Sequence, residues 1–172
     1  MTLTTRNRAI GLGLAAAIFG VDQWLKWLMI GPMQLRRVQL IELVPFFDLR
    51  WTENRGVSLG LLTADSMEMR WGLVALTAVI SVMVLIWMLR EKALADILGL
   101  ALVLGGAMGN IRDRVLFGFV VDYADLHFGE FRPFLIFNLA DAAITIGVLI
   151  ILARSFLSRE KRPTADLSAP ET

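Results

Sequence analysis

Trp71 to Leu89 reads WGLVALTAVISVMVLIWML, nineteen residues without one charge, with a tryptophan at position 71 and another at 87. As a helix rising about 1.5 Å per residue, this run is about 28 Å long, enough for the roughly 30 Å hydrocarbon layer of a bilayer. Tryptophans near both ends suit the two membrane–water interfaces. The stretch predicts a membrane span.

On its C-terminal side, Arg90-Glu91-Lys92 makes a tight polar hairpin before a second apolar segment, Leu94 to Val115, enriched in glycine. Two spans joined so closely are antiparallel neighbours. A loop of mixed polarity carries Asp122, Asp125, His127, Glu130 and Arg132, and Pro133 then opens a span over 134–157 with Asp141 inside it. On the N-terminal side, Ala9 to Ile30 follows a leader with Arg6 and Arg8 and resembles a signal peptide, Ala15 to Ala17 being its small residues. Apolar character continues past those alanines to Ile30, broken only by Asp22 and Lys26, so it is read as an uncleaved span. Between the first two spans, Gly31-Pro32 ends the helix and Phe47 to Thr52 alternates apolar and polar, as a strand does. A β segment over about 38–60 follows, with Gly56 and Gly60 at turns; too small to bury its own apolar face, it is expected against the membrane surface or the bundle.

The expected fold is an integral membrane all-α bundle of four transmembrane helices, at about 9–30, 71–89, 94–115 and 134–157, with a small extracytoplasmic β segment. It forms one membrane-embedded domain over 1–157, and the polar tail 158–172 is expected to be disordered. Basic residues in the leader and tail (Arg6, Arg8, Arg154, Arg159, Lys161, Arg162) place both termini in the cytoplasm.

Composition agrees: 56% of the 172 residues are hydrophobic, above the roughly 45–50% of a soluble domain. With 17 basic and 16 acidic residues there is no electrostatic case for nucleic acid binding. Cysteine is absent and His127 is the single histidine, so thiol chemistry, serine–histidine hydrolysis and a His- or Cys-ligated metal all lack their parts.

An ionisable side chain at membrane depth is unfavourable by about 2.5–3.5 kcal/mol on insertion scales, so each needs a partner or a function. Asp22 and Lys26, four apart, share a helix face and can neutralise each other. Asn110 and Arg114 share a face at the end of the third span, beside Asp113, and Gly105, Gly106 and Gly109 let another helix approach closely. Asp141 differs. It is expected about two turns into the fourth helix, with Asn138 on the same face and no basic residue within one turn. The acid most able to meet it is Asp122, entering from the preceding loop at the same membrane face. Two carboxylates in one desolvated site do not both ionise easily, so the pair can act as acid and base together. A proton or cation relay and a purely structural polar network fit the same residues. Against a transporter stands the lack of an internal repeat.

Five ordered motifs resemble those of the bacterial lipoprotein (type II) signal peptidases, and the likeness covers most of the chain. They are Asp22-Gln23-x-x-Lys26, Asn54-Arg55-Gly56, Gly105-Gly106-Ala107-Met108-Gly109-Asn110-Ile111-Arg112-Asp113-Arg114, Val120-Val121-Asp122-Tyr123 and Phe137-Asn138-Leu139-Ala140-Asp141. The resemblance implies that Asp122 and Asp141 are the catalytic dyad, and that Asp22, Lys26, Asn54, Gly56, Asn110, Arg114 and Asn138 line or brace the site. It also implies an inner-membrane aspartic peptidase with its site toward the periplasm, no cofactor, a diacylglycerated prolipoprotein cut before its lipidated cysteine, and inhibition by globomycin. The β segment around Trp51 would cover the site like a clamp. Val57 and Leu59 depart from the residues the family often has there, which touches only the groove's shape. Asp125, His127 and Glu130 match no family motif and read as solvated loop residues.

Overall fold

The computed structural model describes residues 2–57, 62–63 and 67–160. Leu59, Gly60 and the tail beyond 160 lie outside the described residues. Four long helices are apolar enough to cross a membrane: α1 (Leu3–Ile30), α3 (Met67–Arg90), α4 (Leu94–Phe117) and α5 (Leu139–Glu160), with a single-turn α2 (Leu35–Val38) after the first. Strands β1 (Leu40–Val44), β2 (Phe47–Asn54) and β5 (Val120–Leu126) form an antiparallel sheet in the order β1-β2-β5, and β3 (Gly56–Val57) pairs with β4 (Leu62–Thr63). Four spans and a β segment are present as the sequence predicts, with α1 and α3 beginning earlier and α5 later than expected, and α2 and β5 added.

Helix α4 is the hub. Half of its span is buried, 50%, against 22% for α1 and 17% for α3 and α5, which leave most of their surface to lipid. Adjacent glycines explain how two helices reach it. A Cβ at Gly105 would sit 2.6 Å from the Ala15 carbonyl of α1, and one at Gly106 would meet the Ala140 carbonyl of α5. Any side chain there would push α1 or α5 away, so these positions set the close approach. Ala15, Met88, Ile97, Leu100, Ala101 and Leu104 fill the middle of the bundle.

At one end, a second apolar cluster joins Met29 and Leu35 to Leu49, Tyr123 and Ala124, so the sheet packs on the helix ends. Its strands place polar groups in register: Thr52 faces Asp122, Asn54 faces Val120 and Asp48 faces Asp125. One extra residue in β2 between Leu49 and Thr52 makes a bulge, a device that re-aims side chains beside a site.

Two expectations are corrected. Asp122 lies on β5 rather than in a loop, and its strand is almost wholly buried. Helix α5 starts at Leu139 and not near 134, because Phe137 exchanges both backbone hydrogen bonds with Ala124 (2.8 and 3.1 Å) and is held in extended pairing. Asp141 is therefore in the first turn of its helix, not two turns inside.

Candidate active site

Asn138 and Asp141 cap α5 reciprocally. The Asp141 N–H donates to Asn138 Oδ1 (2.9 Å), and the Asn138 N–H donates to Asp141 Oδ2 (3.2 Å), satisfying two otherwise orphaned donors. The same asparagine, fully buried, turns its Nδ2 to Asp122 Oδ1 at 2.7 Å. Asn54, at the end of β2, donates to the other oxygen of Asp122 at 3.0 Å. Asn110 of α4 donates to Asp141 Oδ1 at 2.8 Å. Three asparagines from three elements thus hold two carboxylates at the bundle end.

Beneath them lies an ion cluster. Lys26, 1% exposed, directs its ammonium to Asp22 (2.9 Å), Asp113 (2.8 Å) and Asn110 Oδ1 (3.2 Å), which uses all three of its donors. Because Lys26 occupies Asn110 Oδ1, the Asn110 amide is oriented with its Nδ2 toward Asp141. Asp22 Oδ1 accepts the Ala140 N–H (3.1 Å), and Asp113 Oδ2 accepts the Val121 N–H (3.2 Å), so α1 and α4 grip the residues next to both Asp141 and Asp122. Gln23 bridges Asp22, the Gly109 carbonyl and Asp113, and Arg112 holds Gln23 Oε1.

Arg114 donates to the Gly56 carbonyl (3.3 Å), and the Gly56 N–H donates to Asn54 Oδ1 (3.2 Å), which fixes the amide aimed at Asp122. The Arg114 Nε is buried without a partner.

Asp122 is 2% exposed. Burial, and then the negative charge of Asp141, raise its carboxyl from 3.8 to about 7, against the lowering pull of the Asn54 and Asn138 donors. At about 1.4 kcal/mol per pH unit, its ionisation is disfavoured by roughly 4 kcal/mol. Asp122 is therefore still partly protonated near neutrality.

All nine residues singled out in the sequence converge at this end: Asp22, Lys26, Asn54, Gly56, Asn110, Arg114, Asp122, Asn138 and Asp141. Sequence reasoning gave no role to Gln23, Asp113 or Tyr123, whose hydroxyl accepts the Leu139 N–H (3.3 Å). Asp113, an acid in an apolar segment, carried the same signal as Asp22. Arg70, in the first turn of α3, caps α4 by donating to the Arg114 and Val115 carbonyls (2.8 and 2.6 Å). Trp51, half-buried on β2, meets Phe119 edge-on at 6.4 Å, with Arg36 over its ring.

The solvated reading of Asp125 and His127 is overturned. Asp125 is 1% exposed and accepts from Arg50 (3.0 Å) and Arg132 (3.1 Å), while His127 pairs with Asp48 at 3.0 Å; only Glu130 is exposed as expected. Both arginines are partly in water, so Asp125→Asn is expected to lower stability by about 1–2 kcal/mol, below the full worth of charged hydrogen bonds. Thermal unfolding in detergent checks this, and a midpoint equal to that of the parent would refute it.

Fold and site together define a four-helix integral membrane protein with a sequestered acidic site at one bundle end. Two solved structures described as bacterial membrane enzymes share this fold: one with a TM-score of 0.79 at 24% identity, covering 93% of this chain and 95% of that one, the other with 0.73 at 27%, covering 86% and 92%. Residues 14–157 match the family described as signal peptidase (SPase) II, and the chain belongs to that family. It is similar to proteins named lipoprotein signal peptidase from Rhizorhabdus wittichii (52% identity, 93% of both chains) and Sphingopyxis alaskensis (53%, covering 91% of this chain and 90% of that one). It is thus a multi-pass membrane protease.

Proposed function

We propose that this protein removes signal peptides from prolipoproteins already diacylglycerated on the lipobox cysteine, cutting before that cysteine with water activated by Asp122 and Asp141. The observation that carries the reading is the pair of carboxylates held by Asn54, Asn110 and Asn138, one of them with its ionisation pushed up to about 7.

The roles follow from the surroundings. Asp141, in the first turn of α5 and accepting from Asn110 Nδ2 and the Asn138 N–H, is the base that takes the proton from water. The water oxygen attacks the scissile carbonyl carbon. Asp122, carrying the resting proton, hydrogen-bonds the carbonyl oxygen and then gives its proton to the leaving nitrogen, releasing the signal peptide as a carboxylate. Lys26, Asp22 and Arg114 position the asparagines and do not touch the reacting atoms. No cofactor enters.

The same proposal includes an orientation. The chain start and the 90–94 hairpin meet at the end opposite the site, where Asn7 and Arg8 donate to the Lys92 and Glu91 carbonyls. Basic residues lie at both ends, Arg6, Arg8, Arg90 and Lys92 here and Arg36, Arg37, Arg50, Arg55 and Arg132 beside the sheet, so the orientation rests on the basic leader and tail, which it places in the cytoplasm. The site then opens toward the periplasm of an inner membrane, where a lipid-anchored substrate arrives laterally.

The test is cleavage of a diacylglycerated precursor by the purified protein in detergent, with chelator present. Cleavage immediately before the modified cysteine, blocked by globomycin, is expected; processing of the unlipidated precursor at equal rate would refute the substrate assignment. The pH profile probes the acid. Because Asp122 titrates high, its protonated form is complete well below about 7 and lost as pH rises through that value, so kcat/KM should fall on the alkaline side there. An activity still climbing well above pH 8 would rule Asp122 out as the proton donor.

A further inference from the structure

Among the described residues outside the spans, large exposed apolar side chains gather in two places that touch. One is the β1–β2 turn, with Leu43, Val44 and Phe46 exposed. The other is the excursion between β5 and α5, with Phe128 (59% exposed), Phe131 (67%), Phe134 (61%) and Leu135 (65%). The His127 N–H donates to the Phe46 carbonyl at 3.0 Å and joins them.

The excursion is a built element. At its base Ala124 and Phe137 exchange hydrogen bonds; at its tip Phe128 and Phe131 do the same, at 2.8 and 3.3 Å, around Gly129-Glu130. Gly129 takes φ +63°, which a tight two-residue hairpin turn requires. Residues directly opposed in such a pair share a face, so both phenyl side chains leave the hairpin on the same side. Arg132, bound to Asp125 together with Arg50, braces the returning strand. The apolar tip is held out rather than folded in.

What covers it follows from where it begins. Phe137, at the base, is one residue from the cap of α5, whose span Leu139–Leu157 lies in lipid, and Phe134 and Leu135 lead directly into it. The patch is therefore continuous with lipid-facing surface, and polar Glu42, His127, Glu130 and Arg132 interleave with its apolar groups as at a membrane–water boundary. We propose that the Phe128–Phe131 hairpin, with Phe134, Leu135 and the Leu43–Phe46 turn, seats in the interfacial layer of the phospholipid bilayer and tethers the extra-membrane sheet to it. Such a tether fixes the depth of β2 and β5, hence of Asn54 and Asp122, in the leaflet where a lipid-linked substrate moves. It does not depend on the chemistry proposed for those residues.

The absence of cysteine makes the test free of background labelling. Phe131→Cys and Phe134→Cys, each carrying an environment-sensitive NBD fluorophore, are reconstituted in phosphatidylcholine vesicles, with Lys92→Cys in the polar hairpin as the aqueous reference and Leu149→Cys on α5 as the lipid reference. Labels at 131 and 134 should be quenched by phosphatidylcholine bearing a shallow nitroxide and shielded several-fold from aqueous iodide relative to Lys92→Cys. In a Phe128→Ser, Phe131→Ser background the label at 134 should lose that shielding, while the label at 149 confirms insertion. Iodide quenching at 131 and 134 equal to that at Lys92→Cys would overturn the proposal and leave the patch to a protein partner.

Discussion

Replacing Asp141 by Asn is expected to lower kcat/KM for a lipidated precursor by about 10²–10⁴-fold, the range typical of losing a general base. The variant should still fold. Asparagine keeps the side-chain shape and can accept from either Asn110 or the Asn138 N–H, but its amide nitrogen then faces the second of these donors. That mismatch should lower stability by about 1–2 kcal/mol, as for a weakened cap or an unmet donor. Asp122→Asn meets the same problem between Asn54 and Asn138 and should be equally inactive. The decisive measurement combines precursor cleavage with a thermal-shift assay in which globomycin still stabilises the inactive variant. Normal processing by Asp141→Asn would sink the dyad, and a protein that merely unfolded would lose inhibitor binding along with activity.

The second large effect is on stability. Lys26→Met removes the one ammonium between Asp22 and Asp113, both 0% exposed, and leaves two carboxylates facing each other in a dry interior. Breaking a buried ion pair from one side destabilises by about 3–5 kcal/mol, because the remaining charge is uncompensated. Restoring neutrality in the triple variant Lys26→Met, Asp22→Asn, Asp113→Asn should recover most of that loss. Denaturation of the three proteins in mixed detergent tests both statements. A single Lys26→Met variant as stable as the parent would mean that the carboxylates are reached by water or already share a proton.

The spans were legible because nineteen uncharged residues at 71–89 leave few alternatives, and Asp22 and Lys26 were paired by spacing alone. Gly105 and Gly106 read correctly as a packing surface, though not that they look toward different helices. Strand β5 was illegible for a physical reason. Val120 to Leu126 has acids at 122 and 125, on opposite faces of a strand, and its partner β2 lies about 70 residues away, so neither alternation nor a local turn announces it. Asp125 was misread with it, since one of its arginines, Arg50, comes from that distant strand. The start of α5 was misplaced because Pro133 outweighed Asn138-x-x-Asp141, a capping pattern that local reading does contain. The nine candidate residues were singled out as a set by their ordered motifs, while the asparagine framework that joins them needed the geometry.

The Asp22 carboxylate that accepts the Ala140 N–H joins the first helix of the chain to the start of the last. Synthesis delivers these two elements at opposite ends of a translation cycle. Until α5 has entered the bilayer, Ala140, Asn138 and Asp141 are absent from the bundle, and a nascent chain holds one carboxylate of the proposed pair. On that reading a protease assembled this way has no working intermediate, and its site closes only when the helix that carries Asp141 docks against the helix that carries Asp22.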